Sequence, residues 1–145
     1  MTQKGNLPLY FISVVFVLLS ACSTSTPLSF TPTPNVVAQG RELFLNICAE
    51  CHGQDANGYA NVLNAPALNN TEHAWHHPDQ EIFSWIVKGK LGIGRQMPGF
   101  GDQLSDEQVY AVIEYLHSLW TEEQLASQQD ITARWPVTPT PRNEP

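Results

Sequence analysis

The sequence predicts an all-α fold, and two observations carry that reading. Apolar residues recur at helical spacing in three separate segments of the 145-residue chain. No stretch combines β-branched alternation with hairpin turn residues, the pattern a sheet-based domain needs. Once a leader and two Pro-rich ends are set aside, the length leaves room for one small compact domain. A domain of that size sits near the lower limit for a self-sufficient apolar core, so a large cofactor at its centre would supply much of the buried surface.

The elements follow in chain order. Residues 1–21 read as a secretory leader, with Lys4 as the positive end and an apolar run from Leu7 to Leu19 broken by Pro8 and Ser13. The run is short for a bilayer span. Its end, Leu19-Ser20-Ala21-Cys22, resembles the lipobox of bacterial lipoproteins, in which the leader is cut before a cysteine that then carries the lipid. That resemblance implies a diacylglyceryl- and palmitate-bearing Cys22; the plainer alternative is a small-residue cleavage site that happens to precede a cysteine. Two or more acyl chains on one residue suffice for stable anchoring. The expected location is therefore the outer face of the cytoplasmic membrane, or the periplasmic face of an outer membrane.

Residues 22–35 hold Thr-Ser-Thr-Pro and Thr-Pro-Thr-Pro with few large apolar side chains, the composition of a tether. The thirteen residues from Ser23 to Asn35 would span roughly 40 Å at about 3.1 Å each in polyproline form. The folded domain is expected over residues 36–125, and residues 126–145, with Pro-Val-Thr-Pro-Thr-Pro, as a Pro-rich tail.

Within the domain, Val37, Gly40, Leu43, Phe44 and Ile47 mark a first helix that runs into a cysteine motif. Pro78, Asp79 and Glu81 form a helix start, Ile82, Phe83, Ile86 and Val87 its buried stripe, and Gly89 its stop. Ser105 with Gln108 has the form of a capping box, after which Val109, Val112, Ile113, Leu116 and Trp120 mark one face of a terminal helix.

The chemistry lies in Cys48-Ala49-Glu50-Cys51-His52, a spacing read as c-type haem attachment. On a helical turn the two thiols share a face and can add to the two vinyl groups along one porphyrin edge, and His52 beside them can ligate the iron. One covalently bound haem c is the cofactor expected. Two rival readings use the same residues. A zinc site would need His73, His76 or His77 as further ligands, and a redox-active dithiol would expect a thioredoxin-like βαβ context.

Met97 is the sole methionine once the leader is removed, and it lies in a Gly- and Pro-rich stretch from Gly92 to Gly101 that reads as a loop projecting a thioether. Pro98 biases it towards an extended backbone. It is the candidate second axial ligand, with His73, His76, His77 and His117 as competitors. The first three read otherwise as a solvated loop, and His117 as a partly exposed residue at a helix edge.

The order Gly40, Phe44, Cys48-x-x-Cys51-His52, Pro66, Met97-Pro98 and an aromatic-bearing last helix resembles the class I cytochrome c family from about Val36 to Trp120. The resemblance implies a cytochrome c fold wrapped around one haem, with the first and last helices crossing at Gly40 and Phe44 packed on Tyr115. It also implies a Pro66 carbonyl that accepts the imidazole N–H of His52, and Leu68 against the haem face. The chain departs from the family's mitochondrial members in lacking a lysine-rich surface, with only Lys88 and Lys90 in the domain.

Loss of the leader removes Lys4 and no acidic residue, taking the net charge from −7 to −8. That balance argues against nucleic acid and for a redox protein partner with a basic docking patch. No acid/base pair or nucleophile arrangement stands out, so an electron carrier without a small-molecule substrate is expected rather than an enzyme. The alternative is a haem-bearing subunit of a membrane oxidoreductase complex.

Overall fold

The computed structural model describes Met1 and residues 34–59, 65–92 and 95–135. The leader, Cys22, the tether up to residue 33 and the tail from residue 136 lie outside the described residues.

Helix α1 (Pro34–Leu43) continues through a π-helical turn (Phe44–Cys48) into the short α2 (Ala49–His52), with Leu43, Cys48 and Ala49 all in right-handed helical conformation. A 3-10 turn (Ala74–His76) precedes α3 (Asp79–Lys88). A two-stranded antiparallel hairpin, β1 (Lys90–Gly92) and β2 (Arg95–Met97), follows, then α4 (Asp106–His117) and α5 (Glu122–Arg134). The hairpin differs from the loop expected around Met97. It is held by its own ladder, pairing Lys90 with Met97 and Leu91 with Gln96, and three-residue strands leave no alternation to read.

The core forms where α1 crosses α4. At the crossing the Gly40 backbone lies against Ala111: a Cβ built on Gly40 would stand 1.8 Å from the Ala111 carbonyl oxygen. One turn on, the rings of Phe44 and Tyr115 pack with centroids 5.3 Å apart, and both residues are buried. Val109, Val112, Ile113 and Leu116 of α4, with Ile82 and Ile86 of α3, complete the apolar centre.

The capping box at α4 is present in both directions: Ser105 Oγ accepts from Gln108 N at 3.3 Å and Gln108 Oε1 accepts from Ser105 N at 2.8 Å. Helix α4 ends at His117, and Trp120 lies past it, buried, with its indole N–H donated to Leu68 O at 2.9 Å. A second capping box, Thr121 with Gln124, then starts α5. Ordered helix therefore runs to Arg134, through residues 126–134 that the sequence reading placed in the tail.

Helix α5 packs Leu125 against the core and otherwise docks through polar groups. Fully buried Gln128 brings its Nε2 within 2.6 Å of Asp79 Oδ1, 2.9 Å of Thr132 Oγ1 and 3.3 Å of His77 O. Thr132 Oγ1 also accepts from Asp79 N at 3.0 Å, and Gln124 donates to Asn70 O at 3.0 Å.

His117 is buried rather than at an exposed edge, at 8 % exposure. Its Nε2 lies 2.9 Å from Asp79 Oδ1 and its Nδ1 3.5 Å from Glu114 Oε2. Burial alone would lower its pKa, but the hydrogen bonds and charges of Asp79 and Glu114 outweigh it and hold the group at about 9.

The sign of the linkage follows: the folded value lies above the ordinary 6.5, so this stabilisation is complete below pH 6.5 and is lost as pH rises through about 9. Its size is about 3 kcal/mol at 1.36 kcal/mol per unit. The thermal midpoint of the protein should thus fall across that window, and His117→Gln should start lower and stay flat. Parallel curves for the two proteins would contradict this assignment.

Candidate haem attachment site

The site is built by the helical segment through α1, the π-helical turn and α2, which presents Cys48, Cys51 and His52 to one cavity of about 280 Å³. Its remaining walls are largely apolar. Phe44 and Ile47 come from the same segment, Val112 and Leu116 from α4, Ile82, Trp85 and Ile86 from α3, and Ala65 to Leu68 from the chain that returns beneath His52.

That return is fixed by backbone bonds. Tyr59 N donates to Ala65 O at 2.8 Å and Leu68 N to Ala56 O at 2.8 Å, with Gly58 N closing the turn on His52 O at 2.7 Å. The consequence is a hydrogen bond of 2.9 Å between His52 Nδ1 and Pro66 O. A carbonyl can only accept, so Nδ1 carries the hydrogen and Nε2 keeps its lone pair for a metal. Burial lowers the pKa of His52, with the Pro66 bond opposing it more weakly. The ring is therefore held in the neutral form that can ligate iron.

Burial, with a smaller contribution from Cys51, pushes the Cys48 thiol up to about 11. A redox-active dithiol needs the opposite shift, towards a stable thiolate. Both cysteines are free, without a disulfide. Among the described residues no three His, Cys, Asp or Glu side chains are arranged to hold a metal ion, which leaves the zinc reading short of ligands. An apolar cleft carrying two thiols at i and i+3 and a neutral imidazole beside them fits a haem, and neither rival.

Met97 lies on the same cavity wall, at the end of β2. The chain after it is tied back to α3 by Phe100 N to Ile86 O at 2.8 Å and Gly101 N to Val87 O at 3.1 Å. Gly99 is required there, because a Cβ would come within 2.7 Å of Val87 O. Pro66 and Leu68 also line the cavity.

Of the competing histidines, His73 and His77 reach the cavity wall, His73 while exposed to solvent and His77 half-buried, whereas His76 is exposed and not among the lining residues. His77 Nδ1 is 3.0 Å from Glu81 Oε2, and its ring packs edge-on against Trp85 at 4.6 Å between centroids. His117 is engaged by Asp79 and Glu114. Trp85, with Lys90 Nζ 3.2 Å from its ring centroid, is a lining residue that the sequence reading did not single out. The available signal was its spacing, three residues after Ile82 and so on the same side of α3.

Residues 35–116 match the family described as cytochrome C oxidase, cbb3-type, subunit III. The chain is 35 % identical over 89 residues to the cbb3-type cytochrome c oxidase subunit FixP of Sinorhizobium medicae, covering 57 % of this chain and 30 % of that protein. It is 34 % identical over 88 residues to the subunit CcoP of Rhodobacter capsulatus, covering 55 % and 28 %. The chain thus matches about three tenths of the length of these curated relatives.

Among solved structures, cytochrome cL from Hyphomicrobium denitrificans aligns with a TM-score of 0.50 at 21 % identity, over 63 % of this chain and 57 % of that one. Cytochrome cL from Methylophaga aminisulfidivorans aligns with the same score at 17 % identity, over 77 % and 73 %. These likenesses show the fold. With the family match spanning more than half of its length, the chain belongs to the c-type cytochromes of the cbb3-type oxidase subunit III family, and its cofactor is covalently bound haem c.

Proposed function

We propose that this protein is a membrane-tethered monohaem cytochrome that passes single electrons between redox proteins. The observation that carries the reading is the joint placement of Cys48, Cys51, His52 and Met97 on one apolar cavity, with His52 Nδ1 engaged by Pro66. When bound, haem supplies an iron that alternates between Fe(III) and Fe(II).

The residues of this chain do the rest. Cys48 and Cys51 would hold the haem covalently, His52 would offer Nε2 to its iron, and Pro66 fixes the imidazole ring that would do so. Met97, on the same cavity wall, would offer the iron a soft thioether, which would favour the reduced state and leave no position for a substrate. Leu68, in the cavity wall, would pack on the macrocycle, and the apolar walls would exclude water. Cys22, as the lipidated residue, keeps the domain within a tether's reach of the membrane surface. None of the helices among the described residues is long and apolar enough to cross a membrane. The acidic balance suits a basic docking patch on the partner, met through a small transient interface.

Carbon monoxide tests the closed coordination sphere: the reduced protein should leave its visible spectrum unchanged on addition of the gas. Ready formation of a carbonyl complex would instead indicate an open sixth position.

The names of the relatives favour a second reading, in which the domain is a fixed haem-bearing subunit of a membrane oxidase. Gentle membrane extraction followed by native sizing separates the two, since a free carrier runs near its own mass.

A further inference from the structure

Helix α5 lies wholly outside residues 35–116 that carry the family match, yet its polar contacts converge on one segment. Gln124 holds Asn70 O, Gln128 reaches His77 O and Asp79 Oδ1, and Thr132 accepts from Asp79 N. That segment, residues 70–79, places His73, Ala74 and His77 in the cavity wall, and through the His77 ring it abuts Trp85. It has little regular structure of its own beyond the three-residue turn Ala74–His76.

Gln128 is an expensive way to join a helix to a domain by packing alone. It is fully buried, its Oε1 has no hydrogen-bond partner, and an apolar side chain of similar size would avoid that cost. What an apolar residue could not do is grip the main chain at His77 and the side chain at Asp79 together. Asp79 is in turn the group that pairs with His117 of α4, so the wall is clamped between two helices.

We propose that α5 is an appended brace that sets the environment of the haem, with Gln128 and Thr132 as positioning residues. They hold the 70–79 wall closed against the cofactor and so keep water from its edge. Exposure to solvent stabilises the more highly charged oxidised iron, so a closed wall raises the potential. The inference rests on the haem reading above.

The test compares the purified, haem-loaded full chain with Gln128→Leu, Thr132→Val and Thr132→Ser. Each is measured by redox titration, with the thermal midpoint as a second readout. Thr132→Val keeps the shape and removes the hydroxyl, whereas Thr132→Ser keeps the hydroxyl. The expected result is a lower potential in Gln128→Leu and Thr132→Val, with a c-type spectrum retained, and a wild-type potential in Thr132→Ser.

Thermal midpoints that move while all four potentials coincide would show that α5 is only structural, and would overturn the proposal. Loss of haem from Gln128→Leu or Thr132→Val would overturn it too, because a brace tunes a domain that loads its cofactor without it. Failure of the haem reading itself is distinguishable, since the wild-type protein would then carry no haem.

Discussion

Met97→Ala should lower the midpoint potential by on the order of 0.2 V, a fraction of the about 0.8 V over which axial ligands tune haem iron. The iron–sulfur absorption band should disappear with it, and the reduced variant should bind carbon monoxide. The physical reason is that a thioether is a neutral, soft, weak donor that stabilises Fe(II), and water or a harder ligand in its place stabilises Fe(III).

The variant should still fold around the cofactor. Met97 is only partly buried, and the ladder at Lys90 and the bonds from Phe100 and Gly101 to α3 are made by backbone atoms that the substitution leaves in place. If spectrum and potential both stay unchanged, the ligand is a histidine. His73 and His77, which share the cavity wall, are then the candidates; His117 lies off that wall with both ring nitrogens facing carboxylates, whereas His77 has only Nδ1 engaged, by Glu81.

Gly40→Val should cost about 3 kcal/mol or more, which for a domain of this size lowers the thermal midpoint by roughly 12 °C or more. Two effects compete at this position. Replacing a glycine in a helix by a residue with a side chain ordinarily gains up to about 1 kcal/mol in propensity.

Against that stands a Cβ 1.8 Å from the Ala111 carbonyl oxygen and 3.0 Å from Tyr115 Cβ. The first contact is with helix backbone, which cannot rotate away, so α1 and α4 must separate. Separation also parts Phe44 from Tyr115 and opens the cavity that Phe44 lines together with α4. The steric term wins. Arg41→Ala, one residue along on the exposed side of α1, should stay within about 0.5 kcal/mol of wild type. A Gly40→Val protein melting with the wild type would mean that the helices do not cross as described.

What was legible in the sequence is local. The Ser105 and Gln108 capping box, the Pro78 start and Gly89 stop of α3, and the cysteine motif each declare themselves within five residues, and the structure contains each of them. The contact of Gly40 with α4 was legible through family resemblance, since spacing alone says nothing of a partner 71 positions on at Ala111.

Helix α5 escaped because apolar periodicity is blind to it. Its sequence holds few large apolar residues, and it docks through Gln124, Gln128 and Thr132. The Thr121 and Gln124 capping signal was there to be read, in the same form as the one recognised at Ser105. The burial of His117 depends on Asp79, 38 residues away, and no local rule pairs them. The hairpin around Met97 is likewise a backbone ladder, with only three pairs of residues and no side-chain alternation to signal it.

The central claim is that Cys48 and Cys51 bind haem covalently in a cavity that His52 and Met97 close. Its most direct test is the intact mass of the denatured full chain, expressed in a host that matures c-type cytochromes, beside a Cys48→Ala/Cys51→Ala variant. Thioether bonds survive denaturation, so the wild-type chain should carry the mass of one haem, and the double variant should not. A denatured wild-type chain at its bare polypeptide mass would contradict the account.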